Sequence, residues 1–343
     1  MGTRRTRVSV IYFISKLVKW DDLCMEIISN PSQGEIKKAA QALKDGYLVA
    51  FPTETVYGLG ADALNQKAVN RIYSGKGRPI EHPLIVHISS ILKLAEWAIE
   101  IPEHAIKLAE EFWPGSMTLI LKRSGLARDY ITGGQNYVAI RVPDNPIALA
   151  LLEKFEINGG FGVVAPSANK FGAVSPTTAS AVMAELGNNL SNLDLILDGG
   201  NCSVGIESTI IDATTENLRI IRPGAVTSEL IAERTGLKVR FEGSNNNIRT
   251  PGLLKAHYSP RAILSLKYPV NPGDGFIALE DIATPPGAIR LASPRTVQQY
   301  ASELYAALRA GDEKGIKKIV AIEPMGQGIA EAIRDRLGKA SSK

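Results

Sequence analysis

The stretch YLVAFPTETVYGLGADA, residues 47–63, decides between two readings of the fold. YLVAFP reads as a short buried strand, and GLGADA matches the GxGxxA pattern of a dinucleotide-binding turn. In such a turn the first glycine ends the strand and opens a helix directly, so that pyrophosphate meets the helix N-terminus. Here Pro52 to Tyr57 intervene, and Pro52 has no N–H to continue a sheet ladder. The segment argues against a nicotinamide site and leaves a strand-end loop presenting the hydroxyls of Thr53, Thr55 and Tyr57. Taken alone, the segment is better read as a turn whose hydroxyls only satisfy backbone groups.

On either side of this stretch, helices and strands alternate imperfectly. GEIKKAAQALKDG (34–46) has the spacing of an amphipathic helix stopped by Gly46. NQKAVNRIYS (65–74) has the spacing of a second helix, with Asn65 as its N-cap. LIVHIS, SMTLILK, YVAIRVP, GVVAPS, DLILDGG, STIIDA and LRIIRPG read as strands. Helices from Pro102, Pro146 and Pro176 fall between some of them. Several strands follow one another directly, so the fold class expected is α/β with a twisted mixed sheet and flanking helices.

This rhythm breaks at FEGSNNNIRTPGLLKAHYSPRA (241–262), where three asparagines, two prolines and two glycines mark a connector. A strand (FIALED), a helix (TVQQYASELYAALRAG), a strand (KKIVAIE) and a helix (GIAEAIRDRLGKA) follow, enough for a small Rossmann-like α/β domain. The expected division is a catalytic domain over 1–240, a connector or lid over 241–262 and the small domain over 263–343.

Composition narrows the function classes. The formal charge is +4, but residues 1–20 hold Arg4, Arg5, Arg7, Lys16 and Lys19 and no acid, so the rest of the chain is near neutral. A general nucleic-acid surface is not indicated. Cys24 and Cys202 offer neither a disulfide framework nor a CxxC metal box, which points to a reducing, cytoplasmic setting. The N-terminus has the basic-then-apolar order of a leader (VSVIYFIS), yet Lys16 interrupts it and KWDD stands where a small-residue cleavage site belongs. A strand or loose tail is expected there. No segment has the roughly 20 apolar residues of a membrane span.

The candidate chemistry lies at strand ends. In SGKGRPIEHPLIVHIS (74–89), Lys76 and Arg78 alternate around Gly77, and an extended loop ended by Pro79 puts both on one face. His87 alternates with Val86 and Ile88, so it shares a strand face with Ile85 and Ser89. PSANKFGAVSPT (166–177) offers Ser167 and Asn169 beyond the strand GVVA. Ser175 reads as an N-cap before Pro176, at a helix start that also suits an anion. GIESTIID supplies Ser208 and RIIRPG supplies Arg222. No P-loop, HExxH or GxSxG motif occurs. Clusters of cations, hydroxyls and amides with few carboxylates suit anionic ligands, phosphates above all.

FPTETVYGLGADA, KGRPxxxPLIVHI, FWPGSMTLIL, PSANxFGxxSPT, GIESTIID and IRPG, taken in this order, resemble the YrdC-like threonylcarbamoyl-AMP synthase family. PGLLKAHYSPRA and the C-terminal helices look like its long, two-domain form. The resemblance covers roughly residues 30–340 and implies a nucleotidyltransferase. L-threonine, bicarbonate (or carbon dioxide) and ATP, with Mg2+, would give threonylcarbamoyl-AMP and pyrophosphate. The product would feed N6-threonylcarbamoyladenosine formation on tRNA through a downstream threonylcarbamoyltransferase machinery, and weak RNA binding is a further expectation.

The resemblance also implies site roles. Lys76, Arg78, Ser167 and Asn169 fall on catalytic positions. Arg78, His82, Thr118, Ser167, Ser175, Arg222, His257 and Tyr258 fall on ATP positions. Thr55, His87, Lys122, Ala165 and Ser208 fall on threonine positions. Two positions depart from the pattern: His82 stands where the family has Asn, and Ala165 lacks a hydroxyl. The rival readings are an RNA-binding module, an anion-sensing regulator, and the related hydrogenase-maturation domain, whose zinc-binding cysteine pairs are lacking here.

Overall fold

A computed structural model describes residues 26–241, 248–252, 254 and 256–342. The basic N-terminal stretch, the asparagine run and Cys24 lie outside the described residues.

The hairpin made by residues 47–63 settles the opening question. Val49–Phe51 pairs antiparallel with Gly58–Asp62, Val49 opposite Gly60 and Phe51 opposite Gly58. GLGAD is therefore a buried strand, and residues 52–57 are the loop that turns into it. Gly60 answers to packing: a Cβ there would meet Phe51 Cε1 and Val163 Cγ1 at 2.9 Å.

The hairpin sits inside an eleven-stranded mixed sheet. Its strand order by residue number is 26–29, 195–198, 49–51, 58–62, 163–164, 85–87, 137–141, 117–122, 209–212, 219–222, 240–241. Helices cover both faces. Gln33–Lys44 starts in a capping box between Ser32 and Glu35. It buries Ile36, Ala39, Ala40 and Leu43 against Leu151, Leu152 and Phe155 of the helix Pro146–Ile157. Gln66–Lys76 and Glu103–Phe112 pack on the other face, with Ile72, Leu108 and Phe112 in the largest core cluster. One helix begins later than expected: Ala179 opens it and Thr178 caps it, which leaves Ser175 in the preceding loop.

Beyond the connector, Ile263–Ser265, Lys318–Ala321, Gly275–Ile277 and Ile289–Ala292 form a parallel four-stranded sheet in that order. The helices Val297–Glu313 and Ile329–Ala340 lie beside it. A shared apolar cluster joins the two parts: Val56, Val174 and Ile206 of the first pack with Tyr258, Leu304, Tyr305, Ile333 and Leu337. Among the described residues no helix is long and apolar enough to cross a membrane.

Candidate active site

Lys76 and Arg78 reach one cavity by different routes. The helix Gln66–Lys76 runs through Lys76 and stops at Gly77, which is left-handed (φ 63°, ψ 32°). This corrects the expected extended loop: a helix end and a glycine turn place the two cations. Lys76 Nζ donates to the Ser167 carbonyl at 2.5 Å and to the Asn169 carbonyl, tying the helix end to the Ser-Ala-Asn turn. Arg78 donates to the carbonyls of Pro83 (2.8 Å) and His82 (3.3 Å) and lies 5.7 Å from the Phe171 ring centroid. Neither forms an ion pair with a carboxylate among the described residues. Burial, reinforced by Arg78, holds the Lys76 ammonium well below its ordinary pKa, and burial brings Arg78 down to about 10.

The Ser-Ala-Asn turn closes one wall. Asn169 Nδ2 donates to the carbonyls of Lys170 and Ala173, while Oδ1 is buried without a protein partner. His87 and Ile85 enter from the strand Ile85–His87 on the face its alternation indicates, with Val86 in the core behind. The imidazole contacts the Ile85 carbonyl through Nδ1 at 3.2 Å. Burial, then Arg141, pushes its pKa down to about 3, so the ring is neutral.

Arg222 and Ser208 form the opposite wall. Arg222 donates through Nε to the Ser208 carbonyl and through a terminal nitrogen to its hydroxyl, both at 3.0 Å. Its other terminal nitrogen reaches the Pro251 carbonyl of the connector at 3.2 Å. His257 and Tyr258 lie over this wall. Tyr258 Oη, His257 Nδ1 and Thr250 Oγ1 are buried without protein partners. Burial lowers the His257 pKa to about 3 against the opposing pull of Glu207, and Arg78, Lys76 and Arg222 add to the lowering.

The remaining expected residues divide in two. Thr55, Ala165 and Ser167 line the same cavity, of about 590 Å³ with its mouth. Thr118 and Ser175 stand one layer back. Thr118 Oγ1 is 2.8 Å from Ser208 Oγ, and the Ser175 hydroxyl donates to Glu207 Oε1 at 2.6 Å, which explains why it caps no helix. His82 and Lys122 are elsewhere. The His82 ring packs edge-on against Phe171 (5.2 Å between centroids) and supplies only its carbonyl to Arg78. Lys122 is exposed and pairs with Glu100. Four residues along a strand is about 13 Å, so Lys122 sits at the far end from Thr118.

The cation that this strand and its neighbour bring into the cavity is Arg141. The strands Met117–Lys122 and Tyr137–Arg141 run antiparallel with Lys122 opposite Tyr137, which carries Arg141 to the Thr118 end. It donates to Glu54 Oε1 (2.5 Å), Thr55 Oγ1 (2.9 Å) and the Gly115 carbonyl (3.2 Å). Sequence reading had singled out a strand-end arginine at 222 and passed over this one. It also passed over Glu207, whose partners Tyr305 (2.9 Å) and Arg336 (2.8 Å) lie beyond the connector. Despite the desolvation that opposes it, Arg336 and Arg222 hold the Glu207 pKa down to about 2.

Comparison with known proteins covers both parts of the chain. Residues 41–224 match the profile of the family described as Telomere recombination, and residues 214–342 that of Threonylcarbamoyl-AMP synthase, C-terminal domain. The chain is 38% identical over 326 residues to the threonylcarbamoyl-AMP synthase of Pyrococcus abyssi, covering 90% of this chain and 94% of that one. It is 36% identical over 341 residues to that of Bacillus subtilis, covering 93% and 96%. The crystal structure of P. abyssi Sua5 complexed with L-threonine matches with a TM-score of 0.82 at 35% identity, over 92% of this chain and 97% of that one. With both parts matched along nearly their whole length, the chain belongs to the threonylcarbamoyl-AMP synthase family, in its two-domain form.

Proposed function

We propose that the cavity joins L-threonine, bicarbonate and ATP into threonylcarbamoyl-AMP and pyrophosphate, the activated intermediate for threonylcarbamoylation of tRNA adenosine. The observation that carries this reading is the convergence of Lys76, Arg78 and Arg222 on one cavity, their donors set by carbonyls and a hydroxyl instead of carboxylates. Such cations are fixed in place with their charge not neutralised, which suits a triphosphate. Bicarbonate takes up a proton and loses water to give carbon dioxide, and the deprotonated threonine amine adds to it and loses a proton to form a carbamate. A carbamate oxygen then bonds to the α-phosphorus as the bond to pyrophosphate breaks. No covalent nucleophile is needed, so positioning and charge stabilisation carry the rate.

On this reading Arg78, Ser167 and Arg222 hold phosphates, Thr118 and Ser175 support that wall, and the connector with His257 and Tyr258 closes over the nucleotide as a lid. Thr55, His87, Ala165 and Ser208 shape the amino-acid end, where Arg141 keeps a second hydrogen on each terminal nitrogen for the threonine carboxylate. Magnesium does not find a protein cage here. Among the described residues no cluster of three His, Cys, Asp or Glu could hold a metal. Glu207, in the cavity wall, already accepts from Ser175, Tyr305 and Arg336. Magnesium is expected to enter on the phosphates of ATP, the usual habit of that ion.

The test is pyrophosphate release from ATP with and without threonine and bicarbonate, by the natural chain and by Lys76→Ala and Arg78→Ala. Release that requires both co-substrates and disappears in both variants is expected. Release indifferent to threonine, or near-normal rates in both variants, refutes the assignment.

A further inference from the structure

Glu207 is out of place in a cavity built for anions. Its carboxylate stands in the wall beside Ser208 and Arg222, where a triphosphate would meet repulsion from it. The C-terminal part of the chain deals with this charge. Arg336, from the helix Ile329–Ala340, is wholly buried and donates through Nε to Glu207 Oε2 at 2.8 Å. Tyr305, from the helix Val297–Glu313, donates to the same oxygen at 2.9 Å. A terminal nitrogen of Arg336 also reaches the Pro223 carbonyl at 3.0 Å, directly after Arg222. The same guanidinium lies 5.2 Å from the ring centroid of Tyr258, which stacks on Tyr305 at 5.8 Å. Within the first part, the backbone after Arg222 is packed directly on the backbone that carries Glu207: a Cβ on Gly224 would lie 2.4 Å from the Thr209 amide nitrogen and 2.8 Å from the Glu207 carbonyl oxygen.

We propose that Arg336, assisted by Tyr305, is a positioning residue of the nucleotide subsite: it holds the Glu207 carboxylate against the C-terminal part and keeps it from capturing Arg222. Arg336 touches no substrate and acts through Glu207. Without it, a buried carboxylate faces Arg222, Ser175, Tyr305, His257 and Tyr258, and Arg222 is the one cation among them. A pair between Glu207 and Arg222 would withdraw Arg222 from phosphate. This gives the C-terminal part a task in the reaction that is separate from carrying the lid, and it rests on the reading of the cavity as an ATP site.

The test is calorimetric ATP binding by the full chain, with steady-state kinetics alongside. Arg336→Gln is expected to weaken ATP binding about 100-fold near neutral pH, the scale of breaking a buried pair, and to raise KM for ATP far more than KM for threonine. Its deficit relative to the natural chain should shrink as pH falls, because Glu207 without the Arg336 guanidinium keeps Arg222 as its one cation against desolvation and takes up a proton more readily. The double variant Glu207→Gln/Arg336→Gln should bind ATP within about 10-fold of the natural chain and lose that pH dependence, since the Glu207 carboxylate is gone and Asp335, the other acid paired with Arg336, keeps Lys339 as its partner.

Natural affinity in Arg336→Gln overturns the proposal. So does a double variant as impaired as Arg336→Gln, or one that fails to fold along with it, since either outcome makes Arg336 a packing residue. ATP binding by the natural chain without threonine-dependent turnover would sink the reaction assigned above and leave this inference readable.

Discussion

Replacing Gly252 with alanine isolates the connector from the rest of the site. Gly252 is left-handed (φ 86°), and a Cβ there would lie 2.3 Å from Tyr258 Oη and 3.2 Å from Arg222 Cδ. The left-handed backbone costs alanine roughly 1–2 kcal/mol. Tyr258 cannot easily swing aside: it is 1% exposed, stacked on Tyr305 and covered by Arg336. Forcing its ring off its rotamer adds about 1 kcal/mol. A total of about 2–3 kcal/mol shifts the seated connector towards a lifted one by a factor of roughly 30 to 150. The expected result is a KM for ATP raised by about that factor and faster proteolytic cleavage of the connector. The melting temperature should change little, because both sheets keep their cores. An alanine variant with natural KM for ATP and natural protease resistance refutes the claim that the connector closes over nucleotide.

Three further outcomes follow from the geometry. Arg141→Lys should lower kcat/KM for threonine by at least about 100-fold, because an ammonium cannot span Glu54 and Thr55 while also reaching a carboxylate; Lys122→Ala should leave it within about twofold, being exposed and outside the cavity. ATP binding should take up protons, because arriving phosphate raises the pKa of a Lys76 that burial has lowered; calorimetry in buffers of different ionisation enthalpy reads the number, and proton release would contradict the sign. Truncation after about residue 240 should abolish threonine-dependent pyrophosphate release, since it removes the connector and Arg336 and exposes Val56, Val174 and Ile206; full activity of the shortened chain would refute both roles.

The sequence announced residues whose neighbours are local and concealed those set by register or by distant partners. Asn65 as an N-cap needed only the Asn-Gln-Lys-Ala order, and its side chain does accept from the Ala68 amide. His87 needed only strand alternation. Lys122 and Arg141 are different: which end of Met117–Lys122 faces the cavity depends on antiparallel pairing with Tyr137–Arg141, and spacing along one strand cannot supply that. GLGADA was ambiguous for a related reason, because Gly60 serves Phe51 and Val163 across the sheet. Glu207 was hidden further still, with partners 98 and 129 residues away.

The arrangement also explains how a near-neutral chain presents a strongly cationic site. Pairing Lys76, Arg78 and Arg222 with carboxylates would have fixed them cheaply and cancelled the charge an anion needs. Carbonyl partners fix them at a desolvation cost, visible in the lowered pKa values of all three. A bound triphosphate relieves that cost, so ligand and protein stabilise each other. Arg141 can tolerate Glu54 as a partner because the carboxylate it is proposed to meet carries a single charge. Glu207, which would undo the scheme beside Arg222, is the residue to which the C-terminal part commits a buried arginine and a tyrosine. The catalytic part supplies the cations and the hydroxyls, and the helices beside the second sheet supply the counter-charge proposed to keep the Glu207 carboxylate out of the phosphates' way.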